Sequence, residues 1–257
     1  MNVSQGVDRQ VQGAQASARL SYEAVCRPVA SLNASERRQL ASLYLRYYDG
    51  SDEARFYADL DGKSEVLLLC HEGGIVGFTT FLLYDFAWRG QRRRIVFSGD
   101  TIVAPAHWGQ QTFTYAWAGR MGQLYRQAPA LPLYWFLIVK GHRTYRYLPL
   151  IGQVFFPHWQ QAPDGELQAL AEALAVARFG DAYDPRSGLI RFERSHGHLR
   201  PEIAQPKARE LEKASVAFFL RRNPGYLQGD ELVCLCPLRA DNMRPFARRV
   251  FLGGGGV

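Results

Sequence analysis

Apolar and polar positions along the first third of the chain predict a strand and two helices. Tyr22 to Val29 alternates in the way a half-buried strand does. A helix follows, and Asn33 or Ser35 can cap its first turn with a side-chain oxygen. A second, shorter helix is predicted over residues 53–60, where apolar residues recur four apart.

Three antiparallel strands are predicted next. Residues 65–71 are nearly all apolar, and Glu72-Gly73-Gly74 forms a tight turn into a second strand over residues 75–84. A third strand is predicted over residues 94–103. The arginine-rich run Arg89-Gly-Gln-Arg-Arg-Arg94 is interpreted as the hairpin turn between the second and third strands.

A long helix from about Gly109 to Gln127 follows, and Ala128-Pro129 stops it. Residues 133–140 predict a buried strand, and 142–151 a helical segment that Pro149 ends or kinks. The remaining predicted elements are a helix over 166–179, a strand over 189–193, a helix over 207–222 and a strand over 231–237.

Composition is that of a globular protein with a core, because 47% of the 257 residues are hydrophobic and 21% charged. No apolar run approaches the roughly 20 residues that cross a bilayer. We expect a flexible tail over 1–18, without a signal peptide, then a core over 19–160 and an α/β extension over 161–252 packed on it. Four scattered cysteines indicate no disulfide framework, so we expect a protein of the reducing cytoplasm. Cys234 and Cys236 lie two apart in a predicted strand, and we expect both to be buried on the same face of it.

The net charge of +7 allows an anionic partner. Nucleic acid is not expected as a partner, because no zinc-finger, helix-turn-helix or RNA-recognition motif is present. The run 89–94 is open to two interpretations, a solvated loop or a docking patch for an acidic protein. His196, His198 and Glu202 have an unspecific spacing, so no metal site is predicted. The oligomeric state is left open.

The order of elements over Tyr22 to Phe156 resembles the Gcn5-related N-acetyltransferase (GNAT) superfamily, as do Gly74-Ile-Val-Gly-Phe78 and Ile102-Val-Ala-Pro105. This resemblance implies an α/β fold with a mixed, mostly antiparallel, twisted sheet flanked by helices. It also implies an acyltransferase that moves an acyl group from a pantetheine thioester to a small-molecule amine by direct attack. The thioester would be acyl-CoA or an acyl carrier protein, with no tightly bound cofactor.

The resemblance implies a donor site around Pro105. The strand end Ile102, Val103 and Ala104 would pair through its backbone with the pantetheine arm. Backbone amides of the turn that opens the next helix would hold phosphate. That turn comprises Trp108, Gly109, Gln110, Gln111 and Thr112.

The turn also departs from the family pattern, because Gln111 and Phe113 stand where the family has small residues. Larger side chains there are expected to crowd a pyrophosphate. Three alternatives follow: a carrier-protein donor docked on residues 89–94, an aminoacyl-tRNA donor, or a GNAT-like protein that binds ligand without catalysis.

Catalytic candidates follow from the same resemblance. Tyr145 and Tyr147 are candidates to protonate the departing thiolate, and Tyr147 lies one residue from the position that the family uses. Asp100 interrupts an apolar strand, and it either faces a substrate or is held by a structural donor. His107 lies in the turn and is open to three interpretations, a base, a phosphate ligand or a residue of the turn alone. Asp100, His107 or water would take the proton of the amine.

Overall fold

The computed structural model describes residues 22–162, 164–193 and 196–253. The predicted tail over 1–18 lies outside these residues. The strands are β1 (Tyr22–Pro28), β2 (Tyr48–Asp49), β3 (Glu65–His71), β4 (Gly74–Trp88), β5 (Gln91–Val103), β6 (Leu133–Val139), β7 (Tyr183–Asp184), β8 (Leu189–Ile190), β9 (His198–Leu199) and β10 (Glu231–Pro237). The helices are α1 (Ala34–Tyr47), α2 (Glu53–Asp61), α3 (Thr112–Gln127), α4 (His142–Tyr145), α5 (Tyr147–Ile151), α6 (Gly165–Phe179), α7 (Pro201–Ala204), α8 (Ala208–Leu211), α9 (Ala214–Arg222) and α10 (Pro245–Phe251).

Eight strands form one sheet in the order β1-β3-β4-β5-β6-β10-β8-β7, and every pair in it is antiparallel except β5 and β6. β2 and β9 form a separate two-stranded pair. The predicted fold class, a mixed, mostly antiparallel sheet flanked by helices, is confirmed. Within the described residues, no helix is both long and apolar enough to pass through a bilayer.

The core lies on both faces of this sheet because its strands are apolar on both sides. One face packs against α3, α5, α9 and α10. The other face packs against α1 and α2 at one end and α6 at the other. Cys234 and Cys236 are buried, free, and part of the same apolar cluster, which confirms their interpretation as core residues.

The C-terminal segment belongs to the same sheet as the first strands. β10 pairs with β6 along its length, and β8 and β7 continue the sheet outward. α10 packs on α3 so closely that a methyl group on Gly122 would lie 2.0 Å from the carbonyl oxygen of Phe251. This contact requires glycine at position 122.

The prediction that the long helix begins at about Gly109 is wrong, because α3 begins at Thr112. A 3₁₀ turn over Pro105–His107 and a left-handed Gly109, with φ of 92°, occupy the intervening chain. Glycine adopts this φ without steric cost.

The arginine-rich run is mostly strand, in contrast to the predicted turn over 89–94. β4 and β5 extend the hairpin to Trp88 and Gln91, so only Arg89 and Gly90 form its turn. Arg94 donates hydrogen bonds to the carbonyls of Leu124 (2.6 Å) and Ala128 (2.9 Å) at the C-terminus of α3. That arginine is therefore structural.

Three further boundaries differ from the predictions. The segment 142–151 breaks at Arg146, ahead of Pro149, and 207–222 divides into α8 and α9. The strand predicted over 189–193 is only two residues long.

Candidate active site

β5 and β6 separate part-way along their length. They pair in parallel from Arg94 and Leu133 through Ser98 and Leu137, and the pairing ends there. β5 continues against β4, with a β-bulge between Gly99 and Ile102. Asp100 lies in this bulge at a φ of 27°, a region that aspartate enters more readily than most residues. The separation leaves one edge of β5 open.

The open edge presents the backbone groups of Thr101 and the amide of Val103. The amide of Ala104 donates to the carbonyl of Val76 on β4 at 2.9 Å. Because backbone groups alternate sides along a strand, those of Thr101 and Val103 point away from β4. The indole Nε1 of Trp108 donates to the carbonyl of Val103 at 2.7 Å, which fixes the turn against this edge. A ligand that carries amide groups can add to such an edge as an extra strand.

This edge forms one wall of a cleft of about 1050 Å³. The cleft is lined by Ile102, Val103, His107, Trp108, Gly109, Gln110, Gln111 and Tyr147, all predicted site residues. Ala104 faces β4 and Thr112 is the first residue of α3, so these two predicted residues adjoin the cleft without lining it. Asp100 lies outside this cleft and lines a second cavity.

The first turn of α3 is less crowded on its cleft side than the sequence predicts. Phe113 is buried in the core and does not face the cleft, whereas Gln111 lines it. The side chain of Gln110 accepts a hydrogen bond of 3.0 Å from the amide of Phe113. The amides of Thr112 and Thr114, in the first turn, have no partner within the helix and remain available to an anion.

Four cations that the sequence did not single out line the cleft, namely Arg143, Arg146, Arg209 and Lys213. Arg143 donates to Glu210 at 2.8 Å and stacks on Trp108, with 4.4 Å between guanidinium carbon and ring centre. Arg209 and Lys213 have no ion-pair partner within the described part of the chain. In the sequence, Arg209 and Lys213 lie in a mixed-charge stretch of the predicted 207–222 helix, about a hundred residues from the Pro105 turn, so the sequence does not link them to that turn.

The two candidate tyrosines differ in environment. Tyr145 is fully buried and donates a hydrogen bond of 2.7 Å to the carbonyl of Pro157. Tyr147 lines the cleft, and burial raises the pKa of its hydroxyl. A raised pKa keeps this hydroxyl protonated at neutral pH, as a proton donor requires. Of the pair, only Tyr147 is positioned to meet a ligand in the cleft.

His107 lines the cleft beside two other rings. Its Nδ1 lies 3.0 Å from the hydroxyl of Tyr22, and its ring centre lies 5.1 Å from that of His71. The hydrogen bond with Tyr22 engages one ring nitrogen. His107 is thereby held in place at the turn.

Asp100 and Asp59 form a carboxyl pair in the second cavity, of about 150 Å³. Burial and the neighbouring Asp59 raise the pKa of Asp100 well above its usual value. Although partial burial acts to raise the pKa of Asp59, hydrogen bonding to Asp100 and the charge of Lys63 lower it. Of the two carboxyls, Asp100 therefore keeps its proton to higher pH, and Asp59, beside Lys63, carries the negative charge of the pair.

The two cavities meet where β5 and β6 separate. Thr101, Gly141, Thr144 and Leu199 line both of them. The carboxyl pair thus lies on one side of the strand gap, and Tyr147 on the other. Within the described ranges, no group of three or more His, Cys, Asp or Glu side chains is arranged to hold a metal.

The chain matches no family model and no curated protein. Solved structures similar to it include a probable N-acyltransferase from Enterococcus faecalis, with 12% identity, a TM-score of 0.40 and coverage of 52% of this chain. The match spans only 33% of the Enterococcus protein. The order of elements over residues 22–156 is the order that the sequence predicted.

Two further similar structures also have acyltransferase names. An acyl-CoA N-acyltransferase from Pseudomonas aeruginosa has 20% identity and a TM-score of 0.38, over 49% of this chain and 85% of that one. A GNAT family N-acetyltransferase from Escherichia coli, solved in complex with CoA, has 15% identity and a TM-score of 0.35, over 53% of this chain and 68% of that one.

Proposed function

We propose that the protein is an N-acyltransferase that moves an acyl group from acyl-CoA to an amine. The observation that carries the proposal is the open edge of β5 at Thr101 and Val103, which faces a large cleft. A pantetheine arm has two amide groups and can pair with such an edge. The cleft also has the proton donor and the cations that a thioester with phosphates needs.

The phosphates of the donor would lie between the first turn of α3 and the cations of the C-terminal segment. Backbone amides and a helix N-terminus attract an anion, and Arg209 and Lys213 add side-chain charge. These cations take the place of a glycine-rich turn in this proposal. The small residues that the family uses are then not required.

A carrier-protein donor docked on residues 89–94 is disfavoured by distance. This run begins at the hairpin turn, whereas Thr101 and Val103 lie toward the other end of β5. Thr101 lies ten steps along the strand from Gln91, which is roughly 30 Å at 3.3 Å per residue. Arg89 and Arg92 also have local partners, Glu166 and Asp85.

The chemical step would use groups on both sides of the strand gap. An uncharged amine attacks the thioester carbon, the C–N bond forms, and the C–S bond breaks. Tyr147 gives its proton to the leaving thiolate. Oδ2 of Asp100 would take the proton of the nitrogen while the proton of Asp100 passes to the carboxylate of Asp59. In this scheme His107 supports the turn, and Asp100 acts together with Asp59.

Calorimetric titration with CoA and acyl-CoA, followed by an assay of thiol release with a panel of amines, tests this function. We expect micromolar binding of acyl-CoA and thiol release that depends on the amine. Binding of an acyl-loaded carrier protein without binding of CoA would mean that the donor is a carrier protein and not acyl-CoA. Failure of both to bind would overturn the proposal in favour of a different ligand.

A further inference from the structure

The second cavity has dimensions that restrict what can enter it. Its volume of about 150 Å³ matches an engineered cavity that holds one benzene molecule. Aromatic side chains form much of its wall, and the rings of Tyr44 and Tyr48 stack at 4.2 Å within it. The cavity therefore admits a molecule of only a few heavy atoms, or one end of a larger molecule.

The inner end of the cavity carries a polar atom without a partner. Oδ2 of Asp100 is buried and accepts no hydrogen bond from the described residues. Asp100 adjoins Thr101, which lines both cavities, so this end lies nearest to the site proposed for the thioester. A buried oxygen of this kind favours a ligand that brings a donor, such as an amine N–H.

Two cations of the cavity are already neutralised by carboxylates. Lys63 pairs with Asp59, and Lys140 lies 3.3 Å from Glu231. Because each lysine is paired with a carboxylate, the inner end of the cavity is polar but carries no unpaired positive charge from these two lysines. An incoming ligand would find no free ammonium there.

Arg178, at the end of α6, lines the same cavity from its exposed side. Its guanidinium carbon lies 4.1 Å from the ring centre of Phe97 and 5.8 Å from that of Phe179. No carboxylate of the described residues lies within ion-pair distance of it. The two rings hold the guanidinium at the rim of the cavity, where it can bind a carboxylate from solution in a bidentate manner.

From this arrangement we infer that the acceptor is a small amino acid, with its amine toward Asp100 and its carboxylate toward Arg178. The inference rests on the proposed N-acyltransferase function, since it names the acceptor of that reaction. The reacting nitrogen must lie near the strand gap, which fixes the direction of the ligand. The volume of the cavity limits the side chain to the size of that of glycine, alanine or serine.

Pairs of acceptors that differ only by a carboxylate provide the test. We would measure kcat/KM for glycine against methylamine and for alanine against ethylamine, at saturating acyl-CoA. Wild-type protein would prefer each amino acid over its amine. The variant Arg178→Gln would lower kcat/KM for the amino acid by about 10- to 100-fold, the effect of losing a charge-assisted hydrogen bond, and leave the amine within about twofold.

Two control variants distinguish loss of the positive charge at position 178 from a general effect of substitution on the structure. Arg178→Lys would recover part of the preference, and Arg221→Gln, an exposed change outside both cavities, would behave as wild type. The inference would be overturned if wild type had the same kcat/KM for an amino acid and its amine, or if Arg178→Gln lowered both values of kcat/KM equally. Acylation of larger amines alone would overturn it and leave the N-acyltransferase function intact. Absence of both CoA binding and thiol release would refute that function itself.

Discussion

Tyr145 and Tyr147 stand on either side of the break between α4 and α5, and only Tyr147 lines the cleft. Tyr145 instead donates to the carbonyl of Pro157 at 2.7 Å inside the core. The break at Arg146 ends α4 after a single turn, and the two rings enter different surroundings. Two residues of the same type thus form a matched pair, one buried in the core and one facing the cleft.

Removing each hydroxyl in turn separates catalysis from stability. Tyr147→Phe should lower kcat about 100-fold or more, because the thiolate loses its proton donor, and leave the melting temperature unchanged. Tyr145→Phe should lower the free energy of unfolding by about 1 kcal/mol, through one lost buried hydrogen bond, and leave kcat unchanged. Rate measurements beside thermal melts check both. A loss of rate in Tyr145→Phe alone would contradict the assignment.

Asp100 makes stability depend on pH in a defined direction. Its raised pKa means that the folded protein keeps a proton that the unfolded chain has released. Stability therefore falls as pH rises from the ordinary aspartate pKa of about 3.9 toward the raised value. Asp100→Asn, which needs no proton to stay neutral, should melt higher than wild type at pH 7 and should lose this advantage near pH 4. Asparagine also tolerates the positive φ at this position.

Calorimetric or fluorescence melts between pH 4 and pH 8 check this prediction. Each kcal/mol gained corresponds to roughly 2–4 °C for a chain of this size. The same variant should lose acyl transfer, because the carboxyl pair can no longer accept the proton of the amine. A variant that melts lower than wild type at pH 7, and not at pH 4, would mean that Asp100 is ionised in the fold.

The cations of the C-terminal segment should control donor affinity. Arg209→Gln and Lys213→Gln should each weaken CoA binding about three- to tenfold, a modest effect because both side chains are exposed to solvent. The double variant should also show a smaller dependence of affinity on salt. Arg89→Gln with Arg92→Gln, at the hairpin end of β5, is the matched control. Equal weakening in the control would indicate a general charge effect instead of a local site.

Local patterns in the sequence predicted the fold well where the deciding contacts are near in the chain. Asn33 and Glu36 form the capping box that starts α1, with both hydrogen bonds at 2.9 Å. The strand β10 was predicted with its observed bounds because its apolar run is buried on both faces. The residues within such elements are sufficient to predict them.

The site could be predicted only in part. The strand end Ile102, Val103 and Ala104 and the candidate Tyr147 came from a resemblance carried by short runs of neighbouring residues, and Val103 and Tyr147 line the cleft. Asp59 was not found, because only folding brings α2 beside the bulge of β5. Arg178 and Lys213 were likewise missed, since helical arginines and lysines usually cover solvent-facing surface, and the sequence alone does not show which of them face a cavity.

Two glycines on α3 provide a paired test of the docking of α10. A methyl group on Gly122 would lie 2.0 Å from the carbonyl oxygen of Phe251, whereas one on Gly119 would make an ordinary contact of 3.5 Å with Val250. Gly122→Ala should destabilise the protein by about 1–3 kcal/mol or more through overpacking. Gly119→Ala should be neutral or stabilising by up to about 1 kcal/mol, because alanine is the better helix former. Chemical denaturation checks both values, and similar behaviour of the two variants would contradict the observed packing.

Because α10 also carries Phe246 into the cleft, Gly122→Ala should weaken CoA binding as well. Gly119→Ala should not. Calorimetry on both variants below their melting temperatures checks this connection. Unchanged affinity in Gly122→Ala would mean that α10 does not take part in donor binding.

Amide hydrogen exchange of residues 99–104, with and without CoA, tests the central claim most directly. If a pantetheine arm adds to the open edge of β5, the amides of Thr101 and Val103 become hydrogen-bonded on binding, and their exchange slows at least tenfold, while Ala104, already bonded to Val76, changes little. The CoA-dependent slowing should be absent from the hairpin end of the same strand. Protection elsewhere in the cleft, with exchange at Thr101 and Val103 unchanged in the saturated protein, would contradict the account.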